Sequence, residues 1–115
     1  TSFLFDPAET VGVGRCTDAD LRGGDPAENA AVAQRVLSGG DGPVTDAVAM
    51  NAAVGMMAGA AAGVPNRSGF DFSEVDWLDE ARFKQGFRTA FAQAQATLAD
   101  GAAARTLQAW VAASR

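Results

Sequence analysis

Four groups of residues have the types and spacing to do chemistry. Gly23-Gly24 stand just ahead of a helix start, where free backbone N–H groups and the helix dipole can hold a phosphate. Asp25 and Glu28 put negative charge at the same point, so a phosphate is repelled there unless a metal intervenes. A capped helix after a tight turn is the plainer reading. Asn29 and Asn51 lie in apolar helical surroundings. A buried amide left unpaired costs about 1–3 kcal/mol, so each is expected to bind backbone carbonyls or the other amide and fix helix register. The sharper alternative is that one lines a substrate site. Asp76, Asp79 and Glu80 could give oxygen ligands to Mg²⁺ or serve as acid and base. Their spacing is not that of a calcium loop, and acidic residues ahead of a helix ordinarily serve its N-terminus. Thr1 could be an N-terminal nucleophile with its own α-amine as base. No oxyanion-hole motif accompanies it, and a chain this small and helical lacks the layered scaffold such hydrolases use. No catalytic or metal-binding residue is therefore assigned, and substrate-binding residues are left open.

The elements that would position these groups follow from pattern. Residues 2–5, Ser-Phe-Leu-Phe, read as one strand ended by Asp6-Pro7. A lone strand leaves its backbone unpaired, so it should add to a sheet supplied by something else. Gly12, Gly14 and the polar run to Asp20 read as loop. Asp25 then caps a helix with Pro26 in its first position and Glu28 at capping-box spacing. That helix should run to about Ser38, where Gly39-Gly40 stop it. Asn29, Val32, Ala33, Val36 and Leu37 form its stripe, which puts Asn29 at the edge of the buried face.

Pro43 opens a second helix to about Ala62, with no charge from Ala47 to Asn66. A helix apolar nearly all round is central in a core or in a membrane. Alanine and glycine are weakly hydrophobic and Asn51 lies within the stretch, so a core helix is expected and no membrane. Gly55, Gly59 and Gly63 make a small-residue track that permits close helix approach. Pro65 to Gly69 signals a loop, and Phe70, Phe72, Val75, Trp77 and Leu78 follow among acidic residues as a short turn or irregular segment. A third helix spans about Glu80 to Ala99, with Phe83, Phe87, Phe91, Ala94 and Leu98 at helical spacing. Gly86 weakens it by about 1 kcal/mol relative to alanine. Asp100 can cap a last helix striped by Ala103, Leu107, Trp110 and Val111.

Composition narrows the classes. The 115 residues allow one unit, 1–115, and its apolar 48% is rich in alanine, so the core is short of large side chains. Marginal stability without a partner surface is expected. A net charge of −5 without a basic cluster excludes a nucleic-acid groove. The chain has no histidine, the usual neutral-pH acid/base and metal ligand. Cys16 is the only cysteine, which precludes an internal disulfide and fits a reducing, cytoplasmic setting. No secretory signal is visible. A start at Thr1 rather than Met is what a processed or trimmed piece would show.

One block has a more specific pattern. Leu21-Arg22-Gly23-Gly24-Asp25-Pro26-Ala27-Glu28-Asn29-Ala30, Val36-Leu37-Ser38-Gly39 and Gly42-Pro43-Val44-Thr45-Asp46-Ala47-Val48-Ala49-Met50-Asn51-Ala52-Ala53 agree in order and spacing with one family. Asp6-Pro7, Gly12-Val13-Gly14-Arg15, Leu98-Ala99-Asp100-Gly101-Ala102-Ala103 and Leu107 extend the match. The chain resembles the carboxy-terminal segment of anthranilate phosphoribosyltransferase, with its nucleoside phosphorylase/phosphoribosyltransferase-like large domain. Residues 60–82 are longer and more acidic-aromatic than the family's usual connection there.

The resemblance implies a mainly α chain, about four helices with one short N-terminal strand, as a piece of a larger α/β domain. It implies an enzyme that transfers phosphoribosyl from phosphoribosyl pyrophosphate (PRPP) to anthranilate, with Mg²⁺, in tryptophan biosynthesis. The family's Gly-Thr-Gly-Gly-Asp loop and Lys-His-Gly-Asn segment do not occur in this sequence, and the resemblance puts its Asp-Glu metal pair earlier in the family's chain, outside the matched segment. No cofactor site is expected on this chain, and Mg²⁺ is implied for the complete enzyme. The expected role is structural, as a segment or split subunit. Its partner is the missing amino-terminal part, a partner chain or another copy. The alternatives are a small helical interaction module without enzymatic activity and a stand-alone hydrolase using Thr1.

Overall fold

Short polar side chains decide where this chain begins its helices. In the computed structural model, which describes residues 2–63 and 76–115, Asp6, Thr17, Asp25 and Asp79 each accept a hydrogen bond from a backbone N–H of a first turn. The helices they open are α1 (Pro7–Val11), α2 (Asp18–Leu21), α3 (Pro26–Leu37) and α5 (Glu80–Ala99). Two more start at glycine, α4 (Pro43–Ala61) after Gly42 and α6 (Ala102–Ala113) after Gly101. The described residues are thus mainly helical, as expected, and the four long helices fall where the periodicity puts them.

Local chemistry accounts for the details. At α3 both capping-box bonds are made, Glu28 N–H to Asp25 Oδ1 at 2.8 Å and Asp25 N–H to Glu28 Oε2 at 3.2 Å. Gly39 ends α3 with φ +85°, and a Cβ there would meet the Leu98 carbonyl at 3.1 Å. Glycine is therefore needed twice over, for the turn and for the close approach of α3 to the end of α5. At α6 the cap position is Gly101 rather than Asp100, but the Asp100 carboxylate still accepts from Ala102 N–H at 2.8 Å.

Three expectations change. Residues 2–5 do not form a strand, and no strand exists among the described residues. A strand is a paired object, and nothing among the described residues offers its backbone a partner. The alternation survives without the pairing: Phe3 and Phe5 pack on α5, while Leu4 is 96% exposed. The loop expected from Gly12 to Asp20 contains α2, and Asp6-Pro7 opens α1. Both are too short for periodicity to register, although Thr17 and Asp20 form a full capping box. Finally, α4 is not surrounded. Its buried residues are Ala49, Ala53 and Met57, one narrow stripe.

That stripe meets α5, and together they make the core. Ala49, Ala53 and Met57 lie against Phe83, Phe87, Ala90, Phe91, Ala94 and Leu98. The alanines let the two helices close on each other, and the phenylalanines fill the rest. Phe5 stands edge-on to Phe83 and Phe87 at 4.8 and 4.9 Å, and Trp77 tilts against Phe83 at 5.3 Å. Among the described residues eleven apolar side chains are buried, five of them alanine.

The result is a slab, 46 × 33 × 20 Å, about two helix diameters thick. Its exposed surface is 7656 Å². A compact monomer of 11.7 kDa exposes about 5,900 Å². The radius of gyration is 15.5 Å, against about 13 Å for a compact chain of this length. Among the described residues one helix, α4, is long and apolar enough to cross a membrane by length and composition.

Candidate functional site

At the Gly23-Gly24 turn the Gly24 N–H is already engaged. Asn29 folds back over it, its Oδ1 accepting from Gly24 N–H at 2.8 Å and its Nδ2 donating to the Gly24 carbonyl at 3.1 Å. The Asp25 and Glu28 N–H groups are held by the capping box. A Cβ on Gly24 would lie 1.6 Å from Glu28 Oε2, and one on Gly23 would lie 2.9 Å from Asn29 Oδ1. The two glycines are there so that these side chains can close on the turn. The structure thus uses the pair as the plainer reading has it, in a capped helix after a tight turn.

Asn51 donates to the Ala47 carbonyl one turn back, at 2.9 Å. Both amides therefore bind backbone carbonyls, as expected. Their placement differs from the expectation, because both are exposed. The two asparagines sit on separate helices and form no common site.

The three carboxylates near α5 are each engaged. Asp76 Oδ1 accepts from Leu78 N–H at 2.9 Å, Asp79 Oδ1 accepts from Arg82 N–H at 2.9 Å, and Glu80 pairs with Lys84 at 2.7 Å. They start and brace a helix rather than converge on a point. Among the described residues no three His, Cys, Asp or Glu side chains are grouped to hold a metal ion. Thr1 lies outside the described residues, as do Phe70, Phe72 and Val75.

Two surface depressions lie among the described residues. One, of about 500 Å³, lies between α3 and α6, with Leu37, Leu107, Val111 and Arg115 in its walls. The other, of about 570 Å³, lies beside α1 and is walled by Phe5, Asp6, Glu9, Lys84 and Arg88. Its charges are of both signs, and three of them are engaged within the chain. Asp6 pairs with Arg15, Lys84 pairs with Glu80, and Arg88 Nε donates to the Thr10 carbonyl at 3.1 Å. The Asp6 carboxyl is held below its ordinary value of 3.8, chiefly by the Glu9 N–H, with partial desolvation opposing and the Arg15 guanidinium adding to the effect. The Arg88 link ties α1 to α5, a pairing across 78 residues that no local pattern signals.

What the surface does present is unfinished packing. Leu4, Leu78 and Trp110 are 96%, 76% and 71% exposed, and Val48, Val54 and Val111 about 40%. Isolated apolar residues on a surface are ordinary, and these lie in the first residues, on α4 and α6, and in the turn before α5.

Comparison with known proteins gives these surfaces a context. Residues 1–104 match the model of the glycosyl transferase family, a/b domain. The chain is 37% identical over all 115 residues to an anthranilate phosphoribosyltransferase of Arthrobacter sp. (strain FB24), covering 28% of that protein. It is 40% identical over 111 residues to the anthranilate phosphoribosyltransferase of Acidothermus cellulolyticus, covering 96% of this chain and 26% of that one. Over 63 residues, 55% of this chain and 18% of the relative, it is 51% identical to anthranilate phosphoribosyltransferase 2 of Streptomyces coelicolor. No solved structure matches. The chain thus spans between a quarter and a third of the length of the relatives that align along nearly all of it. With the family model matched over most of its length, the chain belongs to the glycosyl transferase family, as part of its a/b domain.

Proposed function

We propose that this chain is the carboxy-terminal segment or split subunit of an anthranilate phosphoribosyltransferase, structural rather than catalytic on its own. One observation carries the reading: the chain aligns end to end with such an enzyme yet spans only 28% of it. The resemblance puts the missing length on the amino-terminal side.

The complete enzyme would transfer phosphoribosyl from PRPP to anthranilate, in the cytoplasm. In this reading the Mg²⁺ of that reaction belongs to the rest of the enzyme; Asp76, Asp79 and Glu80 accept from backbone N–H groups or pair with Lys84. No step is assigned to these residues. Their part is to fold a helical wall against which the catalytic part is built. Residues 2–5 would add to its sheet, because Phe3 and Phe5 already anchor one side to α5 while Leu4 faces away.

Reconstitution tests this. A relative such as the Arthrobacter enzyme, cut to remove the matched quarter, should be inactive. Adding the 115-residue chain in trans, or joining it in frame, should restore phosphoribosyl transfer. Failure of both routes to restore any activity would remove the reading.

A further inference from the structure

We propose that the groove between α3 and α6 is a docking site for an acidic amphipathic helix of another protein. The site is independent of the structural role proposed above. The groove holds about 500 Å³ and is open to solvent along one side. Its lining on α6 is Ala104, Leu107, Gln108, Val111, Ala112 and Arg115. These positions keep the i, i+3, i+4, i+7 spacing of one helix face along nearly the whole of α6, about 18 Å. The facing wall is much shorter, since α3 contributes only Gln34, Leu37 and Ser38, its last turn and cap. Beyond that turn no other described residue lines the groove opposite the α6 stripe, and Val111 is 41% exposed.

Shape and charge identify the occupant. A stripe at helical spacing is complemented by a second helix laid along it, with anchors at i, i+3 or i+4 and i+7. An added strand would find no main-chain partners, because both walls are helical. A small molecule would stay half in water, whereas ligand pockets bury most of what they hold. Charge then separates the possible helices. The chain carries −5, yet residues 30–40 and 101–115 contain Arg35, Arg105 and Arg115 and no acid. None of the three pairs with a carboxylate among the described residues. The one acid of α3, Glu28, is in the capping box at the other end of that helix. A second copy would set arginine against arginine along α6, so a helix of opposite charge is the better partner.

Two observations place the site. Gly39, next to Ser38, lies against Leu98 and Ala99, so the groove adjoins the end of α5. Trp77, which follows residues 64–75, packs on Phe83 at the other end of this 20-residue helix, which is about 30 Å long. The match to the a/b domain model ends at residue 104, so Leu107, Val111 and Arg115 lie past it.

Fluorescence anisotropy of a labelled synthetic peptide tests the proposal. The peptide is an amphipathic helix of about 15 residues, leucine on one stripe and glutamate elsewhere. It is titrated with the 115-residue chain and with a full-length chimera, in which this chain replaces the matched quarter of the Arthrobacter enzyme. Both should bind it about tenfold or more tighter than the same peptide with lysine for glutamate, and salt should weaken the binding. Val111→Glu should weaken it by a similar factor and leave the melting midpoint unchanged. If that midpoint falls, Arg115→Glu, at the last residue, carries the comparison with the same loss expected. Equal binding of the two peptides, no binding of either, or binding unchanged in both variants overturns the proposal. Binding by the isolated chain but not by an active chimera assigns the groove to the rest of the enzyme and also overturns it. Self-association of the chain that Val111→Glu abolishes assigns the groove to a second copy. Binding to phosphatidylglycerol vesicles in place of the peptide assigns it to lipid, and either result overturns the proposal. An inactive chimera would remove the proposed function, and the docking site then stands or falls on the 115-residue chain.

Discussion

Asn29 shows how much a single side chain can fix. Its amide holds both backbone groups of Gly24 and so sets the direction in which the chain enters α3. Each such exposed bond contributes about 0.5–1.5 kcal/mol, so Asn29→Ala should destabilise by about 1–2 kcal/mol in urea unfolding. Gly24→Ala should cost a similar amount by displacing Glu28 from the capping box. Asp6 carries a second residue-scale prediction. Its folded-state carboxyl is held below its usual value, so the stability it adds is present above the ordinary 3.8 and lost as pH falls through the lowered folded value. The melting-temperature gap between the chain and Asp6→Asn should therefore be constant near neutral pH and close only below 3.8. The α3 cap was legible in the sequence because Asp25 and Glu28 are three residues apart and need nothing else. The exposure of Asn29 and Asn51 was not legible. Periodicity locates a stripe on a helix but does not say which side has a neighbour.

Among the elements, α5 is the one that the rest lean on. Its stripe of Phe83, Phe87, Phe91, Ala94 and Leu98 was readable from spacing and is buried throughout. Gly86, read from the sequence as a weak point, lies on that buried stripe. Phe87→Ala should cost about 3–5 kcal/mol, enough to abolish a cooperative melt in so small a core. The last helix gives the contrast. The stripe Ala103, Leu107, Trp110 and Val111 reads as buried, yet only Ala103 and Leu107 are partly covered and Trp110 is 71% exposed. Trp110→Ala in the isolated chain should change stability by no more than about 0.5 kcal/mol. The same logic explains the strand at residues 2–5 that did not form. Its side chains alternate as a strand requires, but its hydrogen-bond partners are not among the described residues.

The molecule as a whole carries the marks of a part. A slab two helices thick has a large surface for its volume, and this one exposes roughly 30% more area than a compact monomer of its mass. Its core is one helix pair, lined on one side by alanine. The family and the mainly helical character were both legible in the sequence, the first from the ordered glycine, proline and asparagine positions between Leu21 and Ala53. The one-sided burial of α4 was not, because an apolar helix reads the same whether its cover is in hand or elsewhere. The central claim is that the chain builds a wall and performs no chemistry alone. Its most direct test is an assay of the purified 115-residue chain with anthranilate, PRPP and Mg²⁺, run beside the full-length chimera. The account predicts no consumption of anthranilate by the chain and clear turnover by the chimera. Turnover by the isolated chain at a rate comparable to the chimera would contradict it.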